Sequence, residues 1–314
     1  QIYSVSLVYY SSYHSFTILF IPLEIDSVIH SFTMFSVISS IVTSLSELLP
    51  PGLALTLCVI PISNKKYMKN YIDEFIGTLL MIGLTFSPGK WIFADSLYLA
   101  WVVHAVGVVA ADKIGGGQHV NPAVSMVMCA LGKCDYTEMI VRIAGAMGGG
   151  LVAFPLFKIM TDTLGWTELG GPEFNPNNDE DGSSAAWSEF TATFLLLLVI
   201  YLLNWELNFG KMHYWIKQTL TAVAIRVLIE VFPTAGPAMN PMLGTTWAVF
   251  AGGDFPDDVR HYFVYWIAAA LGALFSGFVY AVYDGCEFCG HKLPFGPINA
   301  PKVVKPKKDS KKKD

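Results

Sequence analysis

The chain has 314 residues, of which 53 % are hydrophobic and only 14 % charged, with a formal net charge of −5 and a mean hydropathy of +0.48. Soluble domains carry about 25 % charged residues, so this composition excludes an ordinary soluble domain and indicates a membrane protein. The lysine run after residue 301 is short and has no aromatic residues between its lysines, which argues against nucleic-acid binding.

Residues 1–66 form an N-terminal segment that differs from the rest of the chain. Two apolar stretches in it, 5–23 and 27–46, are long enough to span a bilayer but are rich in serine and interrupted by Pro22, Glu24 and Asp26. Three alternatives stay open: an extra helical hairpin, a targeting segment, or residues foreign to the mature protein. We expect the functional core to begin after this segment.

The apolar pattern from residue 71 onward predicts six membrane-crossing helices and two shorter ones. The predicted spans are 71–86, 96–111, 136–160, 187–203, 213–231 and 259–283. Two apolar runs, 122–131 and 241–251, follow the second and fifth spans. At 1.5 Å per residue, ~10 residues reach ~15 Å, about half of a hydrocarbon core. We therefore expect these runs to be half-helices.

Each predicted half-helix opens with an Asn-Pro dipeptide. The two Asn-Pro boxes comprise Asn121, Pro122, Ala123, Asn240, Pro241 and Met242. An asparagine side chain can cap a helix, and proline is favoured at the first helical position. Because broken membrane helices direct their positive N-terminal ends at a substrate near mid-membrane, the boxes predict a site at the bilayer centre.

The two halves of the chain repeat each other. Asp73-Glu74-Phe75 opens the first span and Ser188-Glu189-Phe190 opens the fourth. With three spans in each half, the second half inserts in the opposite orientation. Lysines precede the first span and follow the last, whereas loop 161–185 is acidic. Because short cytoplasmic loops are enriched in Lys and Arg, both termini are predicted to be cytoplasmic.

The boxes, the paired Glu-Phe-x-x-Thr starts and the Gly-Gly-x-x-x-Asn-Pro-Ala lead-in resemble the aquaporin (major intrinsic protein) family. The resemblance implies an all-α membrane fold with six transmembrane helices and two half-helices, a pore in each protomer, and a homotetramer. It implies that Asn121 and Asn240 offer side-chain amides to water. Glu74 and Glu189 correspond to the family's buried acids, which accept hydrogen bonds from the half-helix loops. The channel domain would cover 67–284, with repeats 67–160 and 186–284, followed by a basic tail, 285–314.

Family spacing also assigns four selectivity-filter positions, which are Trp101, Leu228, Pro237 and Leu243. Leu243 stands where most members carry an arginine that faces the pore, so we expect an apolar filter without a fixed positive charge. A hydrophobic ring can stop flow by dewetting if it is narrow, or conduct if it is wide. The pattern is similar to the unorthodox, or superaquaporin, branch, whose members tend to lie in intracellular membranes.

The resulting hypothesis is a passive channel for water and small neutral solutes such as glycerol or hydrogen peroxide, with no cofactor, metal or enzymatic activity. Two alternatives stay open: a closed, structural member of the same fold, and an ion-coupled transporter that would use His104, Arg226 and Glu230. Cys286, Cys289 and His291 would make only half of a zinc site. The three lysines 311–313 have the spacing of an endoplasmic-reticulum retrieval signal, and a plain solvated tail is the alternative.

Overall fold

The computed structural model describes residues 9–11, 14–16, 64–86, 96–165, 170–173 and 182–298. The chain divides into two compact units, Gln1–Ile62 and Ser63–Asp314. In the first unit, strands β1 (Tyr9–Ser11) and β2 (His14–Phe16) pair antiparallel. Both strands lie in the apolar stretch 5–23; the other residues up to 63 lie outside the described residues, and the three alternatives for this segment stay open.

The second unit is helical and carries the predicted elements in the predicted order. Its helices are α1 (Lys65–Thr85), α2 (Leu97–Gly115), α3 (Pro122–Ala130), α4 (Tyr136–Leu164), α5 (Ser183–Tyr201, extended by a π-helical turn Leu202–Glu206), α6 (His213–Val231), α7 (Pro241–Gly252) and α8 (Val259–Tyr262, a π-helical segment Phe263–Ala268, and Ala269–Asp284). Short 3-10 turns, Gly210–Met212 and Pro233–Ala235, precede α6 and the second box.

The six long helices correspond to the six predicted spans, and α3 and α7 correspond to the predicted half-helices. By length and composition alone, α2, α4, α5 and α8 qualify as spans within the described residues. Every 18-residue window of α1 and of α6 contains at least three charged side chains, whereas each of the other four helices has a window with two or fewer. Exposed side chains on α2 and α6 are large and apolar, as lipid contact requires: Tyr98, Val102, Val106, Val223 and Val227.

The packing of the helices repeats between the two halves. Helix α1 lies along α4, and α5 lies along α8. The half-helices cross over, since α3 packs against α8 of the other repeat and α7 packs against α4. Each half-helix therefore contributes to the core of the opposite repeat, which brings the two boxes to the middle of the bundle.

Glycines allow the closest of these helix contacts. A Cβ atom at Gly145 of α4 would lie 2.5 Å from the carbonyl oxygen of Tyr71 in α1, and one at Gly272 of α8 would meet the carbonyl oxygen of Phe190 in α5. Small residues let membrane helices approach until van der Waals contact between backbones holds them together. A glycine thus allows close helix packing at the corresponding contact of each repeat.

We expect Gly145→Leu to destabilise the protein by at least about 1–3 kcal/mol, because the added side chain forces α1 and α4 apart. The measurement is the thermal unfolding midpoint in detergent. Gly170→Ala is the control, since nothing lies within 4 Å of a Cβ at that exposed position. An unchanged midpoint for Gly145→Leu would show that this contact does not support the fold.

Candidate pore site

The asparagine of each box caps the half-helix that follows it. The Asn121 side-chain oxygen accepts a hydrogen bond from the backbone N–H of Ala123 at 2.9 Å. The Asn240 oxygen accepts one from the N–H of Met242 at 3.1 Å. The prolines after them occupy the first turn of α3 and α7, where a missing N–H costs nothing. The sequence therefore encodes the start of both half-helices locally.

The two boxes are joined by reciprocal hydrogen bonds that we call the amide clasp. The side-chain nitrogen of Asn121 donates to the carbonyl oxygen of Met239 at 2.8 Å, and that of Asn240 donates to the carbonyl oxygen of Val120, also at 2.8 Å. Both asparagines are only 6 % exposed. The clasp holds the N-terminal ends of α3 and α7 against each other.

An unusual backbone conformation turns both acceptor carbonyls toward the clasp. Val120 and Met239, each immediately before its asparagine, have φ angles of 48° and 50°. A β-branched residue such as Val120 rarely adopts positive φ, and such strain costs about 1–3 kcal/mol per residue. The surrounding hydrogen bonds must therefore enforce this conformation.

Buried glutamates supply those hydrogen bonds in both halves. Glu189 of α5 accepts from the backbone N–H groups of Ala238 and Met239, at 2.6 and 2.9 Å. Glu74 of α1 accepts from two N–H groups of the first loop, both at 2.7 Å, one of them that of Val120. Both glutamates are fully buried. Each carboxylate thus fixes the strained turn before its box.

The first repeat has an additional support that the sequence analysis missed. Arg142 of α4 donates to Glu74 at 2.7 Å and to Glu138 at 3.0 Å. Lys66 of α1 then bridges Glu138, at 2.8 Å, and Asp135, at 3.2 Å. An arginine inside an apolar span needs a partner, so the position of Arg142 in span 136–160 could have directed attention to it.

Asp135 caps α4 at the outer end of this network. Its carboxylate accepts from the backbone N–H of Glu138 at 2.8 Å, and Lys66 lies beside it. The N–H contact, then Lys66, hold the pKa of Asp135 below its ordinary value. A carboxyl with a lowered folded-state pKa stabilises the fold above its unfolded pKa, and this stabilisation is lost as pH falls through the folded value.

We therefore expect wild type and Asp135→Asn to differ most in thermal midpoint near neutral pH and to converge below about pH 4. Asparagine keeps a capping oxygen but carries no titratable charge. Midpoints measured in detergent between pH 3 and pH 7 test this. A difference that stays constant over the range would show that the Asp135 charge does not contribute.

Two of the four filter positions, Leu228 and Leu243, pack in different apolar clusters. Leu228 of α6 is 8 % exposed and packs in the apolar cluster that includes Ala123, Leu196 and Met239. Leu243 of α7 packs against two other clusters, around Phe154 and around Tyr265. Nothing in the described contacts tests the assignment of these positions, which stays a prediction together with Trp101 and Pro237.

Helix α2 directs two unpaired polar atoms inward, away from its exposed face. The indole nitrogen of Trp101 and Nε2 of His104 are buried and have no hydrogen-bond partner within the described part of the chain. Buried polar atoms are nearly always paired with protein or water. These two atoms, one helical turn apart, are thus candidates for contact with water inside the bundle.

The methionine that departs from the family pattern packs into the core. Met242 is fully buried, and its sulfur lies 3.5 Å from the hydroxyl of Thr246. A Cβ at Gly150 of α4 would come within 2.6 Å of that sulfur. The long side chain thus fills the space that a glycine leaves in α4, which favours a packing role for this position.

Comparison with known proteins decides the family of this chain. The model of the family described as "Major intrinsic protein" matches residues 61–280. The chain belongs to the major intrinsic protein family. The match covers both boxes, the first five spans and most of the sixth, and it confirms the resemblance and the all-α membrane fold. The protein is therefore an integral membrane protein.

Relatives in this family come from distant organisms. The chain is 29 % identical to "Glycerol uptake facilitator protein-like 6" of Lactiplantibacillus plantarum over 216 residues, which cover 67 % of this chain and 96 % of the relative. It is 28 % identical to "Probable aquaporin TIP-type RB7-5A" of Nicotiana tabacum, with 70 % of this chain and 89 % of the relative covered. These relatives are matched over nearly their whole length.

A solved structure supports the same fold. The X-ray structure of the aquaglyceroporin from Plasmodium falciparum matches with a TM-score of 0.56 at 21 % identity, and the match covers 68 % of this chain and 95 % of that one. At this identity the likeness concerns the fold alone. Among the residues that the structure describes, no three His, Cys, Asp or Glu side chains are grouped to hold a metal ion.

Proposed function

We propose that this protein is a passive transmembrane channel for water and small neutral solutes such as glycerol or hydrogen peroxide. The amide clasp carries this proposal, because it brings the N-terminal ends of α3 and α7 together inside the bundle. Each helix N-terminus is equivalent to about +0.5 charge, so cations are disfavoured where the two meet. An amide nitrogen has two hydrogens, and each clasp bond uses one. The second hydrogen of Asn121 and of Asn240 can then donate to a passing solute.

The test is stopped-flow light scattering on proteoliposomes, with empty vesicles of the same lipid and size as control. We expect water permeability several-fold above the control, and we expect glycerol to pass as well. Permeabilities equal to those of empty vesicles would favour the closed, structural alternative. A voltage-dependent current in planar bilayers would favour the ion-coupled transporter instead.

The proposal includes an apolar filter formed by Trp101, Leu228, Pro237 and Leu243. If Leu243 lines it, Leu243→Arg places a charge and several donors in the narrowest ring, and we expect glycerol flux to fall about fivefold or more. Leu243→Met, which stays apolar, should leave the solute profile unchanged. Both variants are first checked for a monodisperse elution profile. A folded Leu243→Arg channel with an unchanged profile would remove Leu243 from the filter.

The proposal extends to the assembly, the branch of the family and the location. We propose a homotetramer of the unorthodox branch, with both termini in the cytoplasm and the protein in an intracellular membrane such as the endoplasmic reticulum. The lysine spacing at residues 311–313, outside the described residues, supports that location. Light scattering of the detergent-purified protein tests the tetramer. Fluorescence imaging with and without the last four residues tests the retrieval signal.

A further inference from the structure

The residues after α8 fold back onto the bundle and form what we call the C-terminal strap, residues 285–298. The backbone N–H of Ile298 donates to the carbonyl oxygen of Val282 at 3.2 Å, which returns the strap to the end of α8. Phe288 and His291 pair across a tight turn, and the Phe295 ring meets Phe278 edge to face. The strap is thus held at both its turn and its end.

The turn of the strap contacts the first half-helix. The backbone N–H of Cys289 donates to the carbonyl oxygen of Ala130, the last residue of α3, at 2.7 Å. Phe288 packs against the cluster that contains Val127 and Leu131. These contacts place Cys289 at the end of α3 that lies opposite the amide clasp.

Three cysteines lie near this end of α3. Cys129 belongs to the last turn of α3, Cys134 follows that helix, and Cys289 comes from the strap. All three are free thiols, and Cys289 is exposed to solvent. The backbone hydrogen bond from Cys289 to Ala130 brings the strap next to the last turn of α3, which contains Cys129. The Cys134 sulfur lies 3.9 Å from the carbonyl oxygen of Ser125.

We propose that Cys129 and Cys289 form a peroxide-sensitive thiol pair, in which oxidation ties the C-terminal strap to half-helix α3 by a disulfide. Cys289 is the side that peroxide reaches first, because it is the exposed thiol. Cys129 is the resolving partner. The hydrogen bond from Cys289 to Ala130 holds the strap beside α3 at the residue that directly follows Cys129. Formation of this disulfide does not depend on conduction through the pore.

The chemistry is balanced with hydrogen peroxide as the oxidant. The Cys289 sulfur attacks one peroxide oxygen, the O–O bond breaks, and the departing hydroxide takes the thiol proton, which leaves a sulfenic acid and one water. The Cys129 sulfur then attacks the Cys289 sulfur, the S–S bond forms and the S–O bond breaks. The hydroxide released takes the Cys129 proton as a second water. Two thiols lose two electrons, and one peroxide is reduced to two waters.

The two other described cysteines are less suited to the first step. Burial raises the pKa of the Cys134 thiol to about 12, so it holds almost no thiolate at neutral pH. Burial also raises the pKa of Cys286. Cys286 lies in a different place, where it lines a cavity of about 180 Å³ with Lys292 and Phe295 between the strap and α8. Cys286 is therefore the natural control.

The test uses the full chain in a Cys58→Ser background, because Cys58 lies outside the described residues. The purified protein is treated with hydrogen peroxide, the remaining thiols are counted, and linked peptides are identified by mass spectrometry. We expect the loss of two of four thiols, a Cys129–Cys289 peptide, and a faster band on a non-reducing gel that reverts with dithiothreitol. Cys286→Ser should behave in the same way.

Cys289→Ser should abolish the faster band, and so should Cys129→Ser. Four intact thiols after peroxide treatment would overturn the proposal. A linked peptide that joins Cys134 or Cys286 in place of the assigned pair would overturn it as well. If Cys129→Ser does not fold, the Cys289→Ser variant and the peptide map still test the proposal. Cys289 is exposed on the strap, so its replacement should not disturb the fold.

Discussion

Replacing Arg142 with alanine is expected to destabilise the protein by about 3–5 kcal/mol, the cost typical of breaking a buried ion pair from one side. Glu74 would stay fully buried with only two backbone N–H partners, and Glu138 would lose its contact on the same helix. Thermal unfolding in detergent measures this. We also expect reduced water permeability, because Glu74 fixes the turn that holds the clasp.

The matched control for this variant is Lys158→Ala. Lys158 lies on the same helix and forms an ion pair with Asp162, four residues later. Both side chains are exposed, and such pairs contribute about 0–1 kcal/mol to the stability of the fold. Equal effects of Arg142→Ala and Lys158→Ala would contradict the assigned role.

Asn240→Ala is expected to lower water permeability about tenfold or more, because three interactions disappear together. The cap on α7 is lost, which costs about 1 kcal/mol. The carbonyl oxygen of Val120 loses its donor inside the bundle. The amide hydrogen proposed to face the passage is lost as well. Stopped-flow permeability per reconstituted protomer is the measurement.

Asn208→Ala is the control for this variant, because Asn208 also accepts a backbone hydrogen bond through its side chain, but in an exposed loop before α6. Asn121→Ala should reproduce the Asn240→Ala loss. The double variant should lose less than the sum of the two, since the clasp bonds form one unit. Strictly additive losses, or full permeability in either single variant, would show that the clasp does not support conduction.

The helices and half-helices could be predicted because their determinants are local in sequence. Helix α6 has the predicted bounds, and both half-helices begin at the predicted prolines. A capping asparagine followed by proline defines a helix start within two or three residues. Helix α1 begins earlier than predicted, at Lys65, because Asn64 caps it through its side chain. The first residues of this helix are charged or polar, so apolar periodicity alone does not predict them as helical.

The clasp and its supports could not be predicted without a family pattern, because their partners are far apart in sequence. Asn121 bonds to Met239 across the chain, and Arg142 reaches back from α4 to α1. The residues after 284 were predicted only as a basic tail, yet residues 285–298 contact α3 and α8. Composition gave no indication of this, since the contacts are backbone hydrogen bonds and single aromatic rings.

The crossing of the half-helices, with α3 on α8 and α7 on α4, has a consequence for how the molecule is made. Neither repeat can complete its own packing, because part of its core comes from the other repeat. We therefore expect the first three spans to leave a groove unfilled until the last span has been synthesised. The re-entrant segments would then settle together in a late, concerted step. Separately produced halves should remain protease-sensitive when alone and become resistant only when mixed.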